Sequence, residues 1–253
     1  MPATDRLSSE QDFHDRQARA RAAVLRLRPE DMRFEDAVYL DHETWIRPAF
    51  RQLGALHNAH VLDCGCGHGM AAVVLARGGA RVTALDLSHS YLEEARARAR
   101  ANGVAIDFIQ ASGERLPLAD GSFDRVWGNA VLHHLDLRMA PEELFRVLRP
   151  GGVAVFCEPW GENPLLTWAR QSLSYPGKER TPDEQPLRQA QVRLLKRIFP
   201  TVEVRGYQFL SMARRVVRAP RLLTGLDWCD AMLLERVPAL ERFCRYAVLT
   251  LRR

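Results

Sequence analysis

Val61-Leu62-Asp63-Cys64-Gly65-Cys66-Gly67-His68-Gly69 is the stretch that decides how the rest of the chain is read. A short apolar run, of the kind that forms a buried strand at residues 60–64, meets glycines at alternating positions, and a helix-forming stretch follows at residues 70–76. Glycine permits a tight turn and lets a ligand come close to the backbone. The first turn of the helix leaves N–H groups unpaired, and these suit an anionic ligand group.

Outward from this point, strand and helix patterns alternate. Strands are expected at residues 81–85, 105–110, 123–127 and 153–157. Ser88 is placed to cap a helix that runs to Ala101 and stops at Asn102-Gly103. Pro141 opens another helix, which ends before Pro150-Gly151-Gly152. Beyond Glu158 the rhythm breaks. Residues 159–186 are rich in proline and glycine and read as an insertion over the carboxyl edge of the sheet. A helix follows at 187–199, a strand at 202–207, a helical insertion at 214–240 and a closing strand at 246–251. Upstream, residues 8–27 read as a helix ended by Pro29, and residues 35–53 as a second helix interrupted near Pro48. The expected fold is α/β: a Rossmann-like, doubly wound, mostly parallel seven-stranded sheet, with an N-terminal helical cap and helical insertions after strands 5 and 6. One domain is expected over residues 1–253, divided into a cap (1–55), a binding core (56–158) and a lid with closing strands (159–253).

Composition narrows the function class. The chain has 253 residues and a formal net charge of +5, and nearly every cation is arginine, spread along the chain. Such a charge bears on association and not on fold, and no nucleic-acid partner is expected. No stretch approaches the roughly 20 apolar residues of a membrane span. The N-terminus lacks the apolar run of a secretory signal, so a cytoplasmic location is expected. The five cysteines (Cys64, Cys66, Cys157, Cys229, Cys244) form no CxxC pair and no zinc spacing, so reduced thiols and no metal are expected.

The glycine turn alone is weak evidence. The dinucleotide fingerprint is GxGxxG, whereas here the third glycine is Gly69 and Met70 stands where that fold wants a small residue. Asp86 adds weight. It ends a strand about 20 residues after the turn, where an acidic side chain can bind ribose hydroxyls; an Asp capping a turn is the plainer alternative.

Four segments now coincide in order: VLDCGCGHG (61–69), ALDLS (84–88), GERLPLADGSFDRVW (113–127) and LFRVLRPGGVAVFCEP (144–159). In this the chain resembles the class I S-adenosylmethionine (SAM)-dependent methyltransferases, and among them the broad methyltransferase type 11 group. The resemblance implies SAM as methyl donor and S-adenosylhomocysteine as product. It implies that Asp63, Gly65 and Gly67 line the methionine end, Asp86 takes the ribose diol, and Leu87 packs on the adenine. Ser112, Gly113 and Glu114 would border the adenine edge, with Ser112 standing where many relatives carry Asp. The backbone of Asn129 would lie near the methionine amine. Cys64 and Cys66 read as small packing residues.

Methyl transfer is an in-line displacement that needs mainly positioning, with a general base where the acceptor must lose a proton. Two roles are open to His133: that base, or a residue that only shapes the cofactor pocket. Glu158 ends the fifth strand at the edge where ligands bind in open sheets, and is a base or acceptor anchor, or the holder of the 160–163 turn. Arg180, in the charged run 179–186, is a candidate partner for an acidic acceptor, with a solvated charge run as the alternative. The basic, partly apolar stretch 209–234 fits a cap helix with its apolar face inward, or a helix lying on anionic membrane. Two insertions above one sheet edge imply a roofed pocket and a small, bulky, partly apolar acceptor methylated on O or N. The alternatives are C-methylation of a lipid or quinone precursor at a membrane, a non-catalytic SAM-binding assembly partner, and a nicotinamide oxidoreductase.

Overall fold

Strands whose residues are apolar on both faces must be covered on both faces, and the structure obeys that rule. The computed structural model describes residues 3–25, 28, 30–172 and 185–253. Seven strands, β1 (His60–Cys64), β2 (Arg81–Asp86), β3 (Asp107–Gln110), β4 (Phe123–Asn129), β5 (Leu148–Pro159), β6 (Thr201–Tyr207) and β7 (Tyr246–Arg252), form one sheet in the order β3-β2-β1-β4-β5-β7-β6. The first five strands pair in parallel, and β7 runs antiparallel between β5 and β6. This is the expected doubly wound sheet. Its strand order reverses between β1 and β4, and ligands bind at such a switch point beyond the carboxyl ends.

Residue parity divides the core. Val61, Val153, Val155, Cys157 and Val248 pack on one face, with α2 (Asp36–Leu40), α3 (Ile46–Gln52), α4 (Met70–Arg77) and α5 (His89–Ala101). Leu62, Ala154, Phe156, Leu249 and Leu251 pack on the other, with α6 (Ala140–Val147) and α8 (Gln189–Ile198). Because successive strand side chains point to opposite faces, Asp63 belongs to the first face and Glu158 to the second.

Several boundaries differ from expectation for local reasons. The break in the 35–53 helix falls at residues 41–45, and Pro48 sits inside the first turn of α3, where its missing N–H has no intrahelical acceptor. Strand β5 begins at Leu148, before Pro150, and the β4–β5 register shifts between Phe123 and Arg125. The shift absorbs a proline that cannot donate to the ladder. Ser88 caps α5 as expected, its hydroxyl accepting from the Tyr91 N–H at 3.1 Å.

The cap splits in two. Trp45, Ile46, Ala49, Phe50 and Leu53 are buried in the sheet's core, so α2 and α3 are part of the domain body. Over the carboxyl edge α1 (Ala3–Leu25) packs against α5, and Val38, Tyr39 and His42 reach the same edge from α2 and the residue pair after it. The first insertion contains α7 (Pro164–Ser172), with Trp168 60% exposed. The expectations for Pro29, Arg180 and most of the 179–186 run lie outside the described residues. In the second insertion, α9 (Pro220–Arg236) has one buried residue, Asp230, while Leu222 and Trp228 are 53% and 63% exposed. Leu223, Leu226, Met232 and Leu234 are half-buried, so its apolar residues turn inward only in part.

At Gly128 in β4 a Cβ would stand 2.4 Å from the Phe156 ring and 2.8 Å from Val131. We expect Gly128→Ala to lower stability by about 1–3 kcal/mol, the usual cost of overpacking, read as the shift in urea midpoint. An unchanged midpoint would show that Phe156 has room to move.

Candidate active site

The glycine turn stands between two cavities beyond the carboxyl ends of β1, β2 and β4. One has a volume of about 390 Å³ and is lined by Gly65, Gly67, Asp86, Leu87, Ser112, Gly113, Asn129 and His133, among others. The other, of about 440 Å³, is lined by Asp63, Tyr39, His42 and Trp127 and shares Gly65, Gly67, His68 and Asn129 with the first. Both volumes lie within the range of small-molecule sites. Of the residues expected at the cofactor, only Glu114 lines neither cavity. Its carboxylate accepts from the Asp136 N–H at 2.7 Å and pairs with Arg6 of α1, so it fastens the roof instead.

The turn needs glycine for steric reasons. Gly65 has φ +70, and a Cβ there would strike Val131 at 2.5 Å; Gly69 has φ +81 and faces Ala95 of α5 at 2.7 Å. Both are backbone conformations that L side chains rarely adopt. The first glycine therefore lets the loop after β4 approach the turn, and the second lets α4 and α5 close together.

Two buried carboxylates bracket the turn. Asp86 accepts from the Gly67 N–H at 2.8 Å and from the Ser88 N–H at 2.9 Å. Each oxygen keeps a further lone pair for a ligand donor. Burial pushes the Asp86 pKa up, against the lowering effect of those two N–H groups. Asp63 is 1% exposed, and its Oδ2 has no hydrogen-bond partner. Burial, with the nearby Asp86 charge, pushes its pKa up to about 8. His68, on the wall shared by both cavities, has a buried Nδ1 without a partner, and burial lowers its pKa to about 3. Unsatisfied buried polar atoms are costly, so two of them on one cavity wall mark a place prepared for a polar ligand.

Glu158 is fully buried and does not hold the 160–163 turn. Its Oε1 accepts from the Val131 N–H at 3.0 Å and the Leu132 N–H at 2.8 Å, and its Oε2 lies 2.7 Å from Nδ1 of His133. A carboxylate so engaged favours the tautomer of His133 that carries its proton on Nδ1. The same contacts hold Ala130 at φ +58, an unusual conformation for alanine, with its N–H on the Cys157 carbonyl at 2.7 Å. The thiols fit packing: burial raises the Cys64 pKa to about 12 and lifts that of Cys66 well above its ordinary value.

The residues that the sequence reading missed lie on α1. Arg6, Glu10, His14 and Gln17 line the first cavity and Arg21 the second. Their spacing of three or four places them on one face of the helix. Apart from Leu7 the residues of α1 on the first cavity are polar, so the face carries little hydrophobic signal, and only the recurrence of polar residues at helical spacing could have marked it. Asp15, beside that stripe, accepts from the Ser88 hydroxyl and from the Ser90 N–H at 3.1 Å, which ties α1 to the start of α5. Among the described residues neither α7 nor α9 lines either cavity. The roof is α1 together with α2 and the residues after it, and the expectation that the two insertions supply it does not hold for the part described.

Known proteins resemble this chain in sequence over its binding core and in fold. A sequence-family model described as "Methyltransferase domain" matches residues 62–156. A malonyl-[acyl-carrier protein] O-methyltransferase from Enterobacter lignolyticus is 44% identical over 106 residues, 42% of this chain and 41% of that protein. A ubiquinone/menaquinone biosynthesis C-methyltransferase from Bartonella bacilliformis is 38% identical over 117 residues, 43% of this chain and 42% of that one. The chain thus aligns with less than half the length of these curated relatives. The crystal structure of an S-adenosylmethionine-dependent methyltransferase from Mesorhizobium loti superposes with a TM-score of 0.58 at 20% identity, covering 85% of this chain and all of that one, and so shares the fold. The matched segment runs from Leu62 within β1 to Phe156 within β5 and holds the glycine turn and Asp86, and over that segment the chain is similar to methyltransferase domains.

Proposed function

We propose that the chain binds SAM across the glycine turn and transfers its methyl group to an O or N atom of a small molecule. The observation that carries this reading is the pair of carboxylates, Asp86 in the first cavity and the half-unsatisfied Asp63 in the second, with glycine backbone between them. That layout suits a ligand with a diol at one end and an ammonium at the other. Asp86 orients the ribose, and Leu87, Ser112 and Gly113 border the base. Asp63, His68 and the Asn129 backbone receive the amino-acid end, with Gly65 and Gly67 at its flank. SAM supplies an electrophilic methyl on a sulfonium, so what remains for the protein is alignment of the acceptor.

The acceptor side is bounded by His133, Pro159 and Tyr246. Tyr246 stacks on Trp45 at 3.8 Å with the rings nearly parallel, which fixes that wall. His133 takes the acceptor proton through Nε2, and Glu158 positions it and stabilises the charged ring, as a carboxylate does behind a catalytic imidazole. The names of the two relatives record methylation on oxygen and on carbon, so the shared segment supports more than one acceptor. A bulky, partly apolar metabolite remains the proposed class. Among the described residues no helix is long and apolar enough to cross a membrane.

Calorimetric titration with S-adenosylhomocysteine tests the cofactor. Micromolar binding is expected. Asp86→Ala should weaken it by about 10- to 100-fold, the loss of charge-assisted hydrogen bonds. Absence of wild-type binding, or binding of NADH in its place, would sink the reading.

The raised Asp63 pKa sets a pH dependence. Below about pH 8 the empty site holds Asp63 protonated, whereas a bound ammonium favours the carboxylate. Binding therefore releases a proton, and affinity should fall by up to about tenfold per pH unit as pH drops below 8. Asp63→Asn should flatten that slope; an equal slope in the variant would assign the proton elsewhere.

With an acceptor that must lose a proton, His133→Gln should lower kcat by about 100- to 10,000-fold while leaving S-adenosylhomocysteine affinity nearly unchanged. A loss confined to cofactor binding would make His133 a pocket-shaping residue.

A further inference from the structure

We propose that Glu10, His14 and His134 form a zinc site on the wall of the first cavity, joining α1 to the turn after β4. The three residues come from two elements. Glu10 and His14 lie one turn apart on α1, and His134 ends the short 3-10 turn Leu132–His134. All three line the cavity.

The geometry points to a cation between them. Oε2 of Glu10 lies 3.4 Å from Nε2 of His14 and 3.4 Å from Nδ1 of His134, and the three ligand atoms fall within 4.8 Å of one another. Separations of 3.4 Å are long for hydrogen bonds between such groups. They match the edge of a tetrahedron around zinc, which is about 3.3–3.4 Å for zinc–ligand distances near 2.0–2.1 Å. His134 Nδ1 is buried and makes no hydrogen bond, an unsatisfied state that a metal ion relieves. Glu10 is 6% exposed, so its carboxylate lies largely out of solvent between the two imidazoles.

The surroundings fix the ligands. The His14 ring packs edge-on against Phe13 and His134, and the His134 ring lies 4.2 Å from that of His133, which Glu158 orients. Arg6, on the same helix, pairs with Glu114 and donates to the His134 carbonyl at 3.0 Å. Two imidazoles and one carboxylate are a donor set of catalytic zinc sites, in which a fourth position stays open. The Irving–Williams order favours zinc over iron(II) at such a site. The metal tethers α1 across the cavity, and its open position takes a water or an anionic ligand oxygen. No spacing rule exposes this site in the sequence, because the third ligand lies far along the chain from the other two.

The inference stands apart from the methyl-transfer reading, since its test needs neither cofactor nor acceptor. The metal-stripped chain of residues 1–253 is titrated with zinc chloride by calorimetry and with cobalt(II) by visible absorption. One equivalent of zinc should bind, and cobalt(II) should show the intense ligand-field bands of four-coordination. His14→Ala and His134→Ala should each weaken zinc binding by more than the roughly 10- to 100-fold that a change behind the ligands costs. Zinc should raise the Tm of the wild type and not that of either variant. Glu10→Gln, which keeps the shape of the side chain, guards against misfolding of the alanine variants and should also lose binding. His89→Ala, an exposed histidine on α5, should bind as the wild type does. No stoichiometric zinc uptake, or uptake that all three ligand substitutions leave intact, would overturn the proposal.

Discussion

The architecture of the site hangs on one relay of hydrogen bonds between two carboxylates. Asp86 accepts from the backbone of Gly67 and Ser88, and the Ser88 hydroxyl passes the connection to Asp15, which also takes the Ser90 N–H. Four elements are thereby joined: the turn after β1, the end of β2, the start of α5 and the roof helix α1. A buried carboxylate must be matched by donors, so each member of the relay is held by the others. Were Asp86 apolar, the glycine turn would lose the anchor that fixes its open shape.

A second carboxylate organises the opposite side. Glu158 sits at the last turn of alternation in β5, on the face away from Asp63, and collects two N–H groups and an imidazole from the loop after β4. Holding a non-glycine residue at positive φ costs on the order of 1–3 kcal/mol. The contacts of Glu158 offset that cost at Ala130 and turn the strain into a fixed placement of His133. The polar machinery is thus split between the sheet's two faces and meets only at the carboxyl edge, where the strand order reverses.

The roof is the element whose role changed most between sequence and structure. Proline-rich and basic insertions after β5 and β6 suggested a lid, yet among the described residues it is the N-terminal helices that cover the cavities, α1 through Arg6, Glu10, His14, Gln17 and Arg21, and α2 with the residues after it through Val38, Tyr39 and His42. A lid of this kind is attached by ion pairs and hydrogen bonds, including Arg6 with Glu114 and Arg21 with Glu94. In both pairs the carboxylate is buried and only the arginine is partly exposed, so each pair holds α1 against the body of the domain at a desolvated acid.

The sequence by itself determined the sheet. Short apolar strands, glycine stops and the Ser88 cap are local signals, and parity along a strand fixes which side chains share a face. It also placed Asp63, Gly65, Gly67, Asp86, Leu87, Ser112, Gly113, Asn129 and His133 at one edge, because motifs that follow consecutive strands end at the same side of a parallel sheet. The tertiary structure alone decided which polar groups are satisfied. Glu114 and Glu158 look like ligand-facing acids in the sequence, yet both are engaged by the protein's own donors, Asp136 and Arg6 in one case and the 131–133 turn in the other. Asp63 keeps an oxygen without a partner, and Glu10, His14 and His134 meet only because α1 folds back across the edge. Hydrogen-bond saturation depends on neighbours distant in the chain, and no local pattern of residues encodes it.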